Sequence, residues 1–309
     1  MMEQWDYPST VSLREVGPRD GLQAEPVVLD TAYKVQLVDQ LSAAGLPRIE
    51  VTSFVSPEWL PQMADAEAVM AGIARRPGTV YSVLVPNLRG AERALTTGPD
   101  EITLFLSASA THNMKNVHRS IAESLTGFRG IMERVSGNIP VSAVIVTAFG
   151  CPYEGGVPEQ NVLNLARQLV DMGIAEITLG DTVGVAHPRQ VVNLVQRFQM
   201  VLPEVHLGLH FHDNRGTALA NLLAALAAGA SRFETALGGI GGSPFSPGAG
   251  GNLATEDAVY LLESMGVHTG VDLEKLIATT GQLIGQLGHS VPSRVYLAGG
   301  RMVAKGGTQ

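Results

Sequence analysis

The sequence predicts an α/β fold of eight βα units, a single (β/α)8 barrel in one domain, and three observations point there. Short β-branched runs alternate with longer helix-patterned stretches along the whole chain, the order that yields a parallel sheet with helices outside it. Eight such pairs can be counted, and eight units close naturally into a barrel, although an open doubly wound sheet would use the same alternation. The glycine-rich run Gly238-Gly-Ile-Gly-Gly-Ser-Pro244 follows the eighth strand, and no G-x-G-x-x-G opens the first helix, so a dinucleotide-binding sheet loses ground.

Strands are expected, in order, at residues 11–16, 48–53, 80–85, 101–106, 141–148, 176–179, 206–212 and 232–237, each followed by a helical candidate. Asp30 stands as the N-cap of the first helix, ahead of Tyr33, Val35, Leu37, Val38 and Leu41 on one face, and Gly45 supplies the stop. Pro158 and Pro188 stand where first helical turns begin. No charge run, low-complexity tract or Pro/Ser-rich linker divides the chain, so one domain covers 1–309, with the barrel over about 11–265 and a C-terminal helical extension over about 266–309. Within that extension residues 273–287 form an amphipathic helix that caps the barrel or meets a partner subunit.

Composition narrows the function. Of 309 residues 45% are hydrophobic and 16% charged, and 21 basic against 29 acidic side chains leave a net charge of −8. That balance argues against nucleic acid and against a polybasic membrane surface, both of which gain affinity from clustered Lys and Arg. The most apolar stretch, residues 219–230, is a dozen residues long, short of the ~20 that cross a bilayer. Residues 1–10 show no basic region followed by an apolar run, hence no signal or transit peptide, and the single cysteine, Cys151, excludes a disulfide framework. A cytoplasmic protein that binds a small molecule is expected.

The sharpest local signal is His210-Phe-His-Asp-Asn214 at the end of the seventh strand. Alternation puts His210 and His212 on one face, about 7 Å apart, which suits two imidazoles on one metal. The first strand ends in Arg19-Asp20, a guanidinium beside a carboxylate where a βα loop begins. In barrels the C-terminal ends of the strands carry the site, and Glu50, Asp181 and Asn252 fall at that same mouth. One carboxylate, two neutral imidazoles and an amide oxygen suit Mg²⁺ or Mn²⁺; a closed thiolate zinc site would need absent cysteines.

The runs Val16-Gly-Pro-Arg-Asp-Gly-Leu-Gln23, Glu50-Val-Thr-Ser-Phe-Val-Ser-Pro57 with Pro61-Gln-Met-Ala-Asp65, Gly150-Cys-Pro-Tyr-Glu-Gly155, Leu179-Gly-Asp-Thr-Val-Gly184, and Gly238 to Gly248 with Gly251-Asn-Leu-Ala-Thr-Glu-Asp257 resemble the hydroxymethylglutaryl-CoA lyase family. The resemblance covers most of residues 11 to 265 and implies a metal-dependent TIM barrel lyase acting on CoA thioesters, and a homodimer. It implies Asp20, His210, His212 and Asn252 as metal ligands and Arg19 as the group that steadies the thioester carbonyl or enolate. Glu50 and Asp181 become polar groups of the reaction chamber, and Gln23 and Ser53 meet substrate. The implied reaction breaks a C–C bond of a 3-hydroxy-3-methylglutaryl-CoA-like thioester to give acetyl-CoA and a keto acid such as acetoacetate.

The chain departs from the family at Ser243, where the glycine-rich loop of these lyases carries a cysteine regarded as a catalytic acid or base. An alcohol is several pKa units weaker as an acid than a thiol of pKa ~8.5, so Ser243 cannot simply inherit that role. Gln23-Ala-Glu-Pro26 removes a family cation, and Ala110 and His112 stand where the lyases tend to have Glu and an aromatic residue. These changes favour a neighbouring substrate, citramalyl-CoA-like or a longer 3-hydroxyacyl-CoA; a metal- and CoA-binding paralogue without turnover is the competing class. Lys115 and Arg119 are candidates for the CoA phosphates. Cys151 is read as a buried loop thiol.

Overall fold

In the computed structural model, which describes residues 7–135, 137–242 and 251–300, eight parallel strands close into a barrel. They are β1 (Ser12–Glu15), β2 (Arg48–Ser53), β3 (Val80–Leu84), β4 (Glu101–Ser107), β5 (Val141–Val146), β6 (Glu176–Asp181), β7 (His206–Phe211) and β8 (Arg232–Thr235). Each pairs with the next in chain order and β8 pairs back onto β1, which decides for the barrel over the open sheet. Around it lie α1 (Thr31–Ala43), α2 (Ala66–Gly72), α3 (Leu88–Leu95), α4 (Ala110–Val117), α5 (Ile121–Val135), α6 (Glu159–Val170), α7 (Pro188–Val201), α8 (Ala218–Ala227) and α9 (Thr255–Ser264), then α10 (Leu273–Leu287) and α11 (Arg294–Ala298).

Local chemistry explains where the elements begin and end. Asp30 caps α1 by accepting from the Tyr33 N–H at 2.7 Å, and Gly45, at φ 92°, follows its last turn. β1 is shorter than expected because Val16 already belongs to a wide π-type turn over Gly17–Gly21, its carbonyl accepting from the amides of Arg19 and Asp20 at 3.1 and 2.7 Å. β5 stops at Val146 because Thr147 takes the left-handed conformation at φ 58°. β6 runs two residues beyond the expected end because Asp181 stays in register with Phe211. The helix expected at 273–287 is α10; it packs on α1 and α9, with Gln282 Oε1 accepting from Gln36 and Gln40, and so covers the seam where the last unit meets the first.

Strand parity divides the interior into two layers. Leu13, Ile49, Ile102, Leu209 and Phe233 face the helices and are fully or almost fully buried. Arg14, Arg48, Glu101, Ser142, Glu176, Arg232 and Glu234 face the axis, where they form an ionic plug near the N-terminal ends of the strands. Glu176 is its hub: it accepts from Arg14 Nη2 at 2.9 Å and from Arg232 Nη1 at 2.8 Å, and it also pairs with Arg48. Glu101 receives Arg48 at 2.6 Å and the Ser142 hydroxyl at 2.6 Å. Among the described residues no helix is long and apolar enough to cross a membrane.

Removing one member of a buried charge cluster strands its partners. Glu176→Ala should therefore lower the unfolding free energy by about 3–5 kcal/mol, read as a lower denaturant midpoint; an unchanged midpoint would mean that Glu101 and Glu234 alone neutralise the three arginines.

Candidate active site

Three chain segments converge at the opposite, C-terminal end of the strands. The π-type turn after β1 presents Arg19 and Asp20, and β7 presents His210 and, just past its end, His212. The chain returning from the glycine-rich loop supplies Asn252. It pairs antiparallel with the end of β7, His212 opposite Asn252, through the Asp213 amide on the Gly251 carbonyl at 2.8 Å and the Leu253 amide on Phe211 at 2.9 Å.

One ligand atom from each of Asp20, His210 and His212 lies within 4.8 Å of the others, so a single ion could be held by all three. The Asn252 amide nitrogen donates to Asp20 Oδ2 at 2.8 Å and to the Ile240 carbonyl at 3.1 Å, which leaves its buried Oδ1 with no partner among the described residues. His210 Nδ1 lies 3.0 Å from Glu234 Oε2, leaving Nε2 as the ring's ligand atom. Neutral imidazoles with carboxylate and amide oxygens form a donor set for a divalent cation of the hard or borderline kind.

Electrostatics follow from burial and pairing. Burial alone would raise the Asp20 carboxyl, but Arg19 and then His210 and His212 hold it well below the usual carboxylate range. Burial pushes His212 down to about 4, with His210 adding to the effect, and so keeps it neutral. Burial, reinforced by Glu234 and opposed by Arg19, raises Glu50. Arg19 is gripped on both sides, its Nε by Glu50 and its Nη1 by Asp20 Oδ1 at 2.5 Å. Asp20 Oδ1 also accepts from Gln23 at 2.9 Å.

A cavity of about 920 Å³ opens here, and Arg19, Asp20, Gln23, His210 and His212 line it. Glu50 stands behind Arg19, and Asn252 behind Asp20. Asp181 has the parity that faces away from the axis: Gly180 and Thr182 line the cavity, while its own oxygens accept from the amides of Val185 and Ala186 at 2.9 and 3.1 Å, and burial raises it to about 6. Ser53 is buried at the end of β2, off the cavity wall, with its hydroxyl unpartnered among the described residues. Ser243 lies outside the described residues; its neighbour Gly242 lines the cavity. His112, after the Ser109 cap of α4, and Lys115 and Arg119 line the outer part, and Cys151 is buried with its thiol on Ser109 at 3.0 Å.

One residue that the sequence reading did not single out is Glu234. It lies opposite His210 in register, accepts from Arg14 at 3.5 Å and Thr178 at 3.2 Å, and ties His210 to the ionic plug. Its signal was the parity of Arg232 and Glu234 on a strand beside His210.

The chain is similar to known proteins in sequence and in fold. The model of a family described as HMGL-like matches residues 10–284. The chain is 46% identical over 289 residues to hydroxymethylglutaryl-CoA lyase YngG of Bacillus subtilis, covering 93% of this chain and 97% of the relative. The chain belongs to the HMGL-like family. The human mitochondrial hydroxymethylglutaryl-CoA lyase is 44% identical over 94% of this chain and 90% of its own. The solved Bacillus subtilis HMG-CoA lyase superposes with a TM-score of 0.93, covering 94% of this chain and 98% of that one. An HMG-CoA lyase from Acinetobacter baumannii, solved in complex with coenzyme A and 3-methylmalate, is 44% identical and gives a TM-score of 0.90 over 94% and 95% of the two chains.

In this HMGL-like barrel the root of the glycine-rich loop rests on two buried carboxylates. Glu256 accepts the Gly238 amide on both oxygens, at 3.0 and 2.9 Å, and the Thr280 hydroxyl; Glu15 accepts from Leu237 and Gly17 at 2.8 and 2.7 Å and from Thr255 at 2.6 Å. Burial raises Glu256 to about 8 and Glu15 to about 7.

Two outcomes are expected. Glu234→Gln should weaken Mn²⁺ binding by about 10–100-fold, measured by electron paramagnetic resonance titration, with Glu234→Asp recovering part of the loss; unchanged affinity would remove Glu234 from the support of the site. Because the folded Glu256 carboxyl keeps its proton up to about 8 while the unfolded one loses it near ~4.3, native stability falls as pH rises between those values. Glu256→Gln escapes that loss, so its melting temperature relative to wild type should gain several degrees between pH 5 and pH 9; a pH-independent gap would show that Glu256 is ionised in the fold.

Proposed function

We propose that this chain is a divalent-metal-dependent carbon–carbon lyase that cleaves a 3-hydroxy-3-methylglutaryl-CoA-like thioester to acetyl-CoA and a keto acid such as acetoacetate. The observation that carries the reading is the convergence of Asp20, His210, His212 and the orphaned Oδ1 of Asn252 beside Arg19 at the head of the cavity, in a chain 46% identical to a hydroxymethylglutaryl-CoA lyase.

Asp20, His210, His212 and Asn252 would hold Mg²⁺ or Mn²⁺. Asp20 keeps a lone pair after its bonds to Arg19, Gln23 and Asn252, and His210 is oriented by Glu234, so the residues fit such an ion. When bound, the ion lowers the pKa of a hydroxyl held beside a carboxylate oxygen, easing its deprotonation. Arg19, fixed by Glu50 and Asp20, places positive charge where the enolate oxygen of the leaving acetyl-CoA develops. Gln23, held on Asp20, faces substrate from the cavity wall. Ser243 is the candidate for positioning a proton donor at the enolate carbon, in place of a thiol. Lys115 and Arg119 line the same cavity and supply local cations for the phosphates of CoA on a chain of net charge −8; Lys115 Nζ lies 4.4 Å from the Tyr153 ring centre.

Acetyl-CoA release from hydroxymethylglutaryl-CoA, followed by mass spectrometry, should depend on Mg²⁺ or Mn²⁺ and stop with chelator. Arg19→Met should lower kcat by about 10²–10³-fold while metal affinity is kept. Turnover indifferent to chelator, or to the loss of Arg19, would refute the assignment.

A further inference from the structure

We propose that an apolar recess beside Asp20, His210 and His212 selects the substituent on the hydroxyl-bearing carbon, and that it takes an alkyl group longer than methyl; this rests on the lyase reading above. Gly180 is the register partner of His210, so the inward position next to the cluster carries no side chain. A Cβ placed there would stand 3.5 Å from the Val146 Cα, 3.6 Å from the Ile145 carbonyl and 3.8 Å from the Val144 side chain, all ordinary contacts, and Gly180 itself lines the cavity.

The next strands continue the recess in carbon. Val144 and Val146 face inward on β5, Phe105 pairs with Val144 from β4, and Leu84 follows on β3, all lining the cavity. Of the hydroxyls beside this wall, Ser107 Oγ bonds Thr147 Oγ1 at 2.6 Å and Thr147 Oγ1 donates to the Val146 carbonyl at 2.6 Å, while Thr182 Oγ1, on the cavity wall, accepts from the Thr147 amide at 2.8 Å. The mouth is thus split. Charged groups and the candidate metal ligands occupy the β7, β8, β1 and β2 side; the inward strand residues Leu84, Phe105, Val144 and Val146 are hydrocarbon, with His112, Lys115 and Arg119 coming from the segment after β4, and Gly180 on β6 is the gap between. Two strand intervals of ~4.8 Å separate Gly180 from Phe105, so this apolar wall runs for about 10 Å, enough to lie along an alkyl group longer than methyl. A polar substituent would lose its hydration against this wall, whereas each added CH₂ would gain about fourfold, the equivalent of ~0.8 kcal/mol of burial.

The chemistry is unchanged by the substituent. The hydroxyl loses its proton and becomes the ketone oxygen; the electrons of the breaking C2–C3 bond pass to the thioester as an enolate, which regains a proton at C2. The alkyl group leaves on the 3-oxo acid.

The test compares kcat/KM of the full chain, with Mn²⁺, on 3-hydroxy-3-methyl-, 3-ethyl- and 3-propylglutaryl-CoA, for wild type, Gly180→Ala and Val146→Phe. Wild type should gain about fourfold per CH₂, and both variants should lower the propyl-to-methyl ratio by about tenfold or more. A wild type that prefers methyl, or a ratio that Gly180→Ala leaves unmoved, overturns the recess while leaving the lyase intact. Silence on all three thioesters in metal-loaded protein overturns the lyase reading and the recess with it. Gly180→Ala decides the matter if Val146→Phe does not fold, since its added methyl meets only ordinary contacts.

Discussion

The register of β7 between its neighbours is the constraint on which the mouth of this barrel depends. Side chains alternate along a strand, so a slip of one residue would turn His210 and His212 into the helix layer and bring Phe211 to the axis. As paired, Gly180 and Glu234 flank His210, and the returning chain sets Asn252 against His212. A single pairing choice therefore fixes the ligand cluster, the carboxylate behind it and the gap beside it.

That register also solves an electrostatic problem. Seven charged side chains of the barrel strands face the axis, six of them buried, Arg14, Arg48, Glu50, Glu101, Glu176 and Glu234, with Arg232 half-buried at the base, and lone buried charges there would be costly. Each has a partner of opposite sign. Arg48 and Arg232 meet Glu176 at the base, Arg14 joins Glu101, Glu176 and Glu234, and Glu234 meets His210; beside this run, Arg19 closes the mouth between Glu50 and Asp20. Glu234 links the ion pairs at the base to His210 at the mouth.

The parts of the site that could be read in the sequence are those whose signal is local. His210 and His212 share a face by strand parity, and Arg19-Asp20 follow a strand directly, so both were visible without any knowledge of the fold. Asp181 shows the limit: the motif around it marked the mouth, but the length of β6 settles its parity, and that length is set by pairing with Phe211 rather than by its own residues. Glu234 escaped for the complementary reason, since a single glutamate on a short strand gains significance only when its neighbour in register turns out to be His210.

By itself the sequence determined the order of the eight βα units, most of their boundaries, the amphipathic helix over 273–287 and the shared face of His210 and His212, because each rests on periodicity or on chemistry within a few residues. Only the tertiary structure decided that the sheet closes, that α10 covers the seam between first and last units, that Glu234 backs His210 and that hydrocarbon faces the ligands across Gly180. Those outcomes depend on which strands become neighbours and in what register, and contacts such as that between Asp20 and Asn252, 232 positions apart, leave no mark in either local pattern.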